Sequence, residues 1–465
     1  MKALWITIFT YILCPIYGQI DYEEDALFIK AIHDQVLLDG ACYAWLEHLS
    51  EEIGGRLAGS PASELAIDYT KKQLEEISDT TYLQKCEVPY WVRGKKEKVV
   101  IIDPLTSDSL DIGGLALGNS IGTGPSGIVG DIVEVQTLDE VRELGPDRLA
   151  GRIVFYNRPM DPTQIRTFYA YGGAVDQRVN GPSVAAAQGA VAVLVRSMTT
   201  ALDDYPHTGV TRYDPNHPEI PAIAISTKDA ELLHEILIEQ SMDAHIISSS
   251  EMRDDDKTSY NVIAEIKGST YPDEIILVGG HLDSWDVGGG AHDDGAGCVH
   301  SMQVFQTLQE LGYQPKRTIR CVLFMNEENG LGGGLAYANE SNQKGEWHMA
   351  AIESDAGGFT PRGFSCDATD EVFAGFFRQV TKWENLLDPY FLSLSKGGSG
   401  ADINPLKNQN GLLFGFRPDS QRYFDFHHTA ADRIDAVNER ELKLGGAAMT
   451  SLVYLLDKYG LAKGE

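Results

Sequence analysis

The stretch Ile275-Ile276-Leu277-Val278-Gly279-Gly280-His281-Leu282-Asp283-Ser284-Trp285-Asp286-Val287-Gly288-Gly289-Gly290-Ala291-His292-Asp293-Asp294 decides the fold. Its first four residues are a short apolar run closed by glycines, the pattern of a strand buried on both faces. His281 and Asp283 leave the carboxyl end of that strand. Asp293 and Asp294 follow a glycine-rich loop and open a helical pattern over 295–311. Open α/β sheets build their sites at the carboxyl ends of strands. Imidazole and carboxylate are a ligand set for zinc, so neighbouring strands should end in more of the same types.

They do. Asn326-Glu327-Glu328 follows the apolar Cys321-Val322-Leu323-Phe324, and Glu353-Ser354-Asp355 follows Met349-Ala350-Ala351-Ile352. His427-His428-Thr429 comes near the C-terminus. Each cluster alone reads as an ordinary solvated loop. Their convergence on the ends of several strands points to a hydrolytic metal centre, which needs ligands plus one unligated carboxylate as base. Strands are expected at 262–266, 275–279, 318–325, 350–354 and 412–416, with helices at 295–311, 334–339, 371–383 and 439–459. The alternation predicts an α/β architecture, a three-layer α/β/α hydrolase-like domain with a mostly parallel central sheet.

Working outward, 27–49 and 62–77 show helical spacing, the second with Ser60-Pro61 as its start signal. Residues 87–92 and 98–102 read as strands. From 103 to 250 the texture changes to short β-type pieces at 130–135, 151–156 and 190–195, with a helix at 182–188. This predicts an inserted β-rich domain. The expected division is a signal peptide at 1–18, the first part of the main domain at 19–102, the insertion at 103–253 and the catalytic part at 254–465.

Lys2 followed by the apolar stretch 3–16 has the layout of a secretory signal, too short for a membrane span. A secreted or lumenal protein, extracellular or lysosomal, is expected. The chain has 465 residues, 43% of them hydrophobic, enough for two domains. A net charge of -30 argues against a nucleic-acid partner. Of six cysteines, Cys14 lies in the signal; the remaining five are odd in number and widely spaced, so free thiols are expected. Asn339-Glu340-Ser341 is a glycosylation sequon.

Gly279 to Asp286, Asp293-Asp294, Glu327-Glu328, Glu353 to Gly357 and His427-His428-Thr429 resemble the signature of the co-catalytic di-zinc exopeptidases, the aminopeptidase Y and glutamate carboxypeptidase type. Gly54-Gly55-Arg56-Leu57-Ala58-Gly59-Ser60-Pro61 is similar to that family's N-terminal motif. The resemblance spans the chain after the signal and implies that the insertion is a protease-associated domain.

It implies two Zn2+ per chain. His281 and Asp355 would hold one, Glu328 and His428 the other, and Asp293 would bridge them. Asp293 is preferred to Asp294 because the family's bridging aspartate is the first of its pair; the His-Thr-x-x-Asp pattern favours His428 over His427. Glu327 would be general base and acid toward a metal-activated water. Asp283 would accept a hydrogen bond from His281 and fix its tautomer. Gly398 and Ser399, in the glycine-rich loop 396–402, and Tyr423 are candidate substrate contacts. The resemblance favours a dipeptide or short peptide with free termini as substrate, carboxypeptidase or dipeptidase over aminopeptidase, and a homodimer. A non-catalytic protein like the transferrin receptor is the alternative from another class; the intact ligand positions and Glu327 argue against it. A single-zinc glutaminyl-cyclase-like transferase is disfavoured by His281.

Overall fold

The computed structural model describes residues 22–253 and 255–462. The expected signal peptide lies outside them. An eight-stranded sheet forms the main domain, in the order Thr80–Val88, Lys257–Ile266, Arg317–Phe324, Tyr271–His281, Trp347–Glu353, Leu412–Pro418, Pro361–Asp367, Ser393–Lys396. Its four central strands, from Arg317–Phe324 to Leu412–Pro418, are parallel. The flanks bring in antiparallel pairs, so the sheet is mixed, with a parallel centre.

Period-two alternation explains the layering. Ile276 and Val278 face one core with Val299, Phe305, Leu452 and Leu455 from the helices Ala296–Glu310 and Glu439–Tyr459. Leu277 faces the opposite core with Tyr337, Ala338 and Leu406. Both faces are covered, which is why these strands read as continuous apolar runs. The helix Pro61–Ile77 starts at Ser60, whose side chain accepts from the Ser63 N–H at 3.2 Å. The chain expected as strand at 87–92 instead pairs from Thr80 to Val88 as an edge strand. Its outer residues are polar and exposed, so no apolar run marks it.

The segment expected to form the insertion holds most of a second eight-stranded sheet, where only three short strand pieces were expected. It also carries several helices, among them Leu138–Leu149 and Thr227–Glu239. Strands such as Ala222–Ile225 are only four residues long, too short to stand out in sequence. The strand Glu97–Ile102, expected in the main domain, pairs inside this second sheet with Asp243–Ser248 and Ser109–Ile112. The pairing of Glu97–Ile102 thus crosses the 102/103 division expected from the sequence. A two-stranded ribbon, Trp91–Val92 against Glu251–Met252, joins the parts. All five described cysteines are buried and free. No described helix is long and apolar enough to cross a membrane.

Candidate active site

Parallel strands end on the same edge, and that edge carries the site. His281 closes Tyr271–His281, Glu327 and Glu328 follow Arg317–Phe324, and Asp355 follows Trp347–Glu353. Asp293 lies in the turn before Ala296–Glu310, and His428 follows the short helix Tyr423–Phe426. The loops bring all of them together around Asp293.

His281 Nε2 lies 3.2 Å from Asp293 Oδ1 and 3.6 Å from Asp355 Oδ1. His428 Nε2 lies 3.2 Å from Asp293 Oδ2 and 3.2 Å from Glu328 Oε2. Asp293 thus presents one oxygen to each of two imidazole–carboxylate pairs. His427 is adjacent, with Nε2 3.7 Å from Asp293 Oδ2 and its ring stacked on His428. Asp294 points elsewhere: its carboxylate accepts the N–H groups of His281 at 3.1 Å and Gly297 at 3.0 Å.

The donor set fits divalent cations. The potential donor atoms of His281, Asp293 and Asp355 lie within 4.8 Å of one another, as do those of Asp293, His427 and His428. Asp293 Oδ2 is buried without a hydrogen-bond partner. Burial and the surrounding carboxylates push Glu327 well above the usual carboxyl range, and Glu328 up to about 7. Burial opposes charge on His281 and His428, yet the facing carboxylates raise both, His428 to about 9. Protons supply the positive charge that the cluster demands, a demand that metal ions also meet.

Asp283 departs from its expected contact. His281 Nδ1–H donates to the backbone carbonyl of Asp283 at 2.9 Å, while the nearest carboxylate oxygen is 4.0 Å away. The carboxylate instead accepts the backbone N–H groups of Asn326 at 2.6 Å, Glu327 at 3.1 Å and Glu328 at 3.4 Å. Asp283 fixes the turn that carries the two glutamates. The backbone makes this geometry available because the 326–328 turn passes directly over the end of the neighbouring strand.

The Peptidase family M28 profile matches residues 261–453. Bovine (Bos taurus) carboxypeptidase Q is 33% identical over 421 residues, covering 89% of this chain and 84% of that protein. The chain belongs to peptidase family M28. The crystal structure of an M28 peptidase precursor from Shewanella amazonensis matches with a TM-score of 0.88 at 32% identity, covering 96% of this chain and 98% of that one. A zinc aminopeptidase from Bacillus subtilis shares the fold, with a TM-score of 0.63 at 20% identity over 89% of this chain and 94% of that one. Within M28, the Gly279–Asp286 and His427–Thr429 motifs already resemble carboxypeptidase Q, the name the bovine relative carries.

The M28 site opens into a cleft of about 510 Å³ lined by both domains. Tyr423 lines it. Gly398 and Ser399 do not: the Gly398 carbonyl accepts from Ser365 and Arg417, and Ser399 is buried. Ala401 is the part of that loop that reaches the cleft. Asn339 is exposed on the helix Gly332–Lys344.

Several residues that serve the site were not assigned those roles in the sequence. Asp432 accepts the N–H groups of His292 at 2.7 Å and Asp293 at 3.0 Å, holding the central aspartate. Arg56, fully buried, donates to the carbonyls of Leu282, Gly289 and Gly290 and so braces the glycine-rich loop. The conspicuous Gly54–Pro61 motif was the available signal for it. Phe168, Tyr171, Arg178 and Arg212 reach the cleft from the insertion. They lie in no motif, so nothing in the sequence marked them.

Proposed function

We propose that this M28 peptidase is a secreted or lysosomal di-zinc exopeptidase that cleaves dipeptides and short peptides with free termini. The observation that carries this reading is Asp293, with one carboxylate oxygen toward each histidine–carboxylate pair. His281, Asp293 and Asp355 would hold one ion; Asp293, Glu328 and His428 would hold the second. Bound zinc supplies a Lewis acid that polarises the scissile carbonyl and lowers the pKa of water toward neutrality.

The protein's own groups do the rest. Glu327, half-buried in the cleft beside the cluster and held by the turn that Asp283 fixes, takes the proton of the attacking water and returns it to the leaving amine. Arg178 and Arg212 line the same cleft and offer guanidinium groups to a terminal carboxylate. Those cations support carboxypeptidase or dipeptidase action over aminopeptidase action. Tyr423 with Phe168 and Phe424 forms an aromatic wall suited to a substrate side chain. Export through the 1–18 signal, glycosylation at Asn339 and a homodimer belong to the same reading.

Hydrolysis of three dipeptides by the purified zinc-loaded protein tests it: one amino-blocked, one carboxyl-blocked and one free at both ends. Loss of cleavage on blocking the carboxyl end is expected, whether or not amino blocking also matters. Cleavage that survives carboxyl blocking and fails only on amino blocking would make the enzyme an aminopeptidase.

A further inference from the structure

The two halves of the ligand cluster differ in what supports them. The His281 side is held by the main domain: Nδ1 donates to the Asp283 carbonyl, and the backbone N–H donates to the Asp294 carboxylate. The His428 side is braced by the insertion. Thr208 N–H donates to the His428 carbonyl at 3.0 Å, and the Thr208 carbonyl lies 3.3 Å from His428 Nδ1. His428 Nδ1 thus lies between two groups of the insertion, the Thr208 carbonyl and Arg178 Nη1 at 3.4 Å, while Nε2 faces Asp293 and Glu328. The approach is so close that a Cβ on Gly209 would stand 2.6 Å from His428 Nδ1.

Glu328 is tied to the insertion by a second route. The Trp285 N–H donates to Glu328 Oε1 at 3.2 Å. The Trp285 backbone belongs to the site loop, but its indole is buried in the core of the insertion, among Trp91, Val99, Ile223 and Ile246. It meets Trp91 edge-on at 6.2 Å and the His428 ring at 5.8 Å. Gly118 of the insertion lies directly on the indole; a Cβ there would come within 1.8 Å of the ring. Neither glycine falls in a motif quoted for the site.

We infer that the insertion completes one metal position, the Glu328–His428 one, through Trp285 and the Thr208–Gly209 backbone, while the His281–Asp355 position forms without it. This rests on the two-metal reading above. Trp285 and Gly118 are positioning residues: neither lines the cleft, and they act through Glu328. Outer partners of this kind set ligand orientation and change metal affinity about 10–100-fold.

The test is zinc binding to the full chain, read as stoichiometry and stepwise affinity by competition with a chromogenic chelator. Gly118 has ordinary backbone angles, so Gly118→Ala acts by displacing the indole. It should weaken one zinc about 10–100-fold and leave the other as in the unaltered protein. The double variant Gly118→Ala/Trp285→Phe removes the ring atoms that the new methyl strikes and should recover much of the lost affinity. That recovery separates displacement of Trp285 from general misfolding. Two zincs of unaltered affinity in Gly118→Ala, equal weakening of both, or no recovery in the double variant would overturn the inference. Fewer than two zincs in the unaltered chain would overturn the two-metal reading, and this inference with it.

Discussion

Replacing Asp283 probes how the catalytic turn is held. Its carboxylate is fully buried and accepts three consecutive backbone N–H groups, two of them on Oδ1. Asp283→Ala strands all three donors. Each buried unsatisfied donor costs about 1–3 kcal/mol, and the 3.4 Å bond from Glu328 sits at the low end, so the total is roughly 3–7 kcal/mol. Asp283→Asn keeps an oxygen for Asn326 and Glu327 and turns an amide toward the Glu328 N–H. It should cost only about 1–3 kcal/mol. Because the displaced residue is Glu328, zinc affinity should fall about 10–100-fold even in the milder variant. Urea unfolding of the metal-free proteins measures the first effect, and chelator competition the second. An alanine variant no less stable than the asparagine one, or unchanged zinc affinity in both, would refute the reasoning.

Glu327→Gln should retain zinc and lose about 10²–10⁴ in kcat, measured on a free dipeptide; full activity in the loaded variant would remove Glu327 from proton transfer. Arg178→Ala should raise KM for free-carboxylate substrates about 10–100-fold, the worth of one charge-assisted contact, and leave a carboxyl-amidated substrate's KM nearly unchanged. An equal rise for both would show that Arg178 serves the site only through Tyr171 and Thr208. Stability should fall on acidification through buried neutral histidines. Burial pushes His300 and His348 down to about 4, whereas the unfolded value is about 6.5. Between those values the unfolded chain binds more protons, so their contribution is fully present above about pH 6.5 and is lost as pH falls toward 4. Unfolding midpoints at pH 7 and 4.5 should show the drop, and His348→Gln should shrink it; an undiminished drop would count against the account.

The parallel centre and the strand-end clusters were legible because strands buried on both faces leave uninterrupted apolar runs, and ligand-type residues follow each one directly. The edge strand Thr80–Val88 and the four-residue strands of the insertion were not, since half-exposed or very short strands carry little periodic signal. At the site, His281, Glu328, Asp355 and His428 were named from the sequence and lie around Asp293, where His427, set aside in favour of His428, lies as well. The sequence misplaced the Asp283 carboxylate because residue order says that His281 and Asp283 are close, but not which of Asp283's oxygens reaches the ring. The Arg178 and Trp285 contacts depend on how two sheets dock, which no local pattern encodes.

The central claim is that Asp293 joins two metal positions. Anomalous diffraction from crystals of the zinc-loaded protein, collected across the zinc edge, tests it most directly. The account predicts two peaks per chain, one on either side of the Asp293 carboxylate, one beside His281 and Asp355 and the other beside Glu328 and His428. A single peak, or zinc bound away from Asp293, would contradict it.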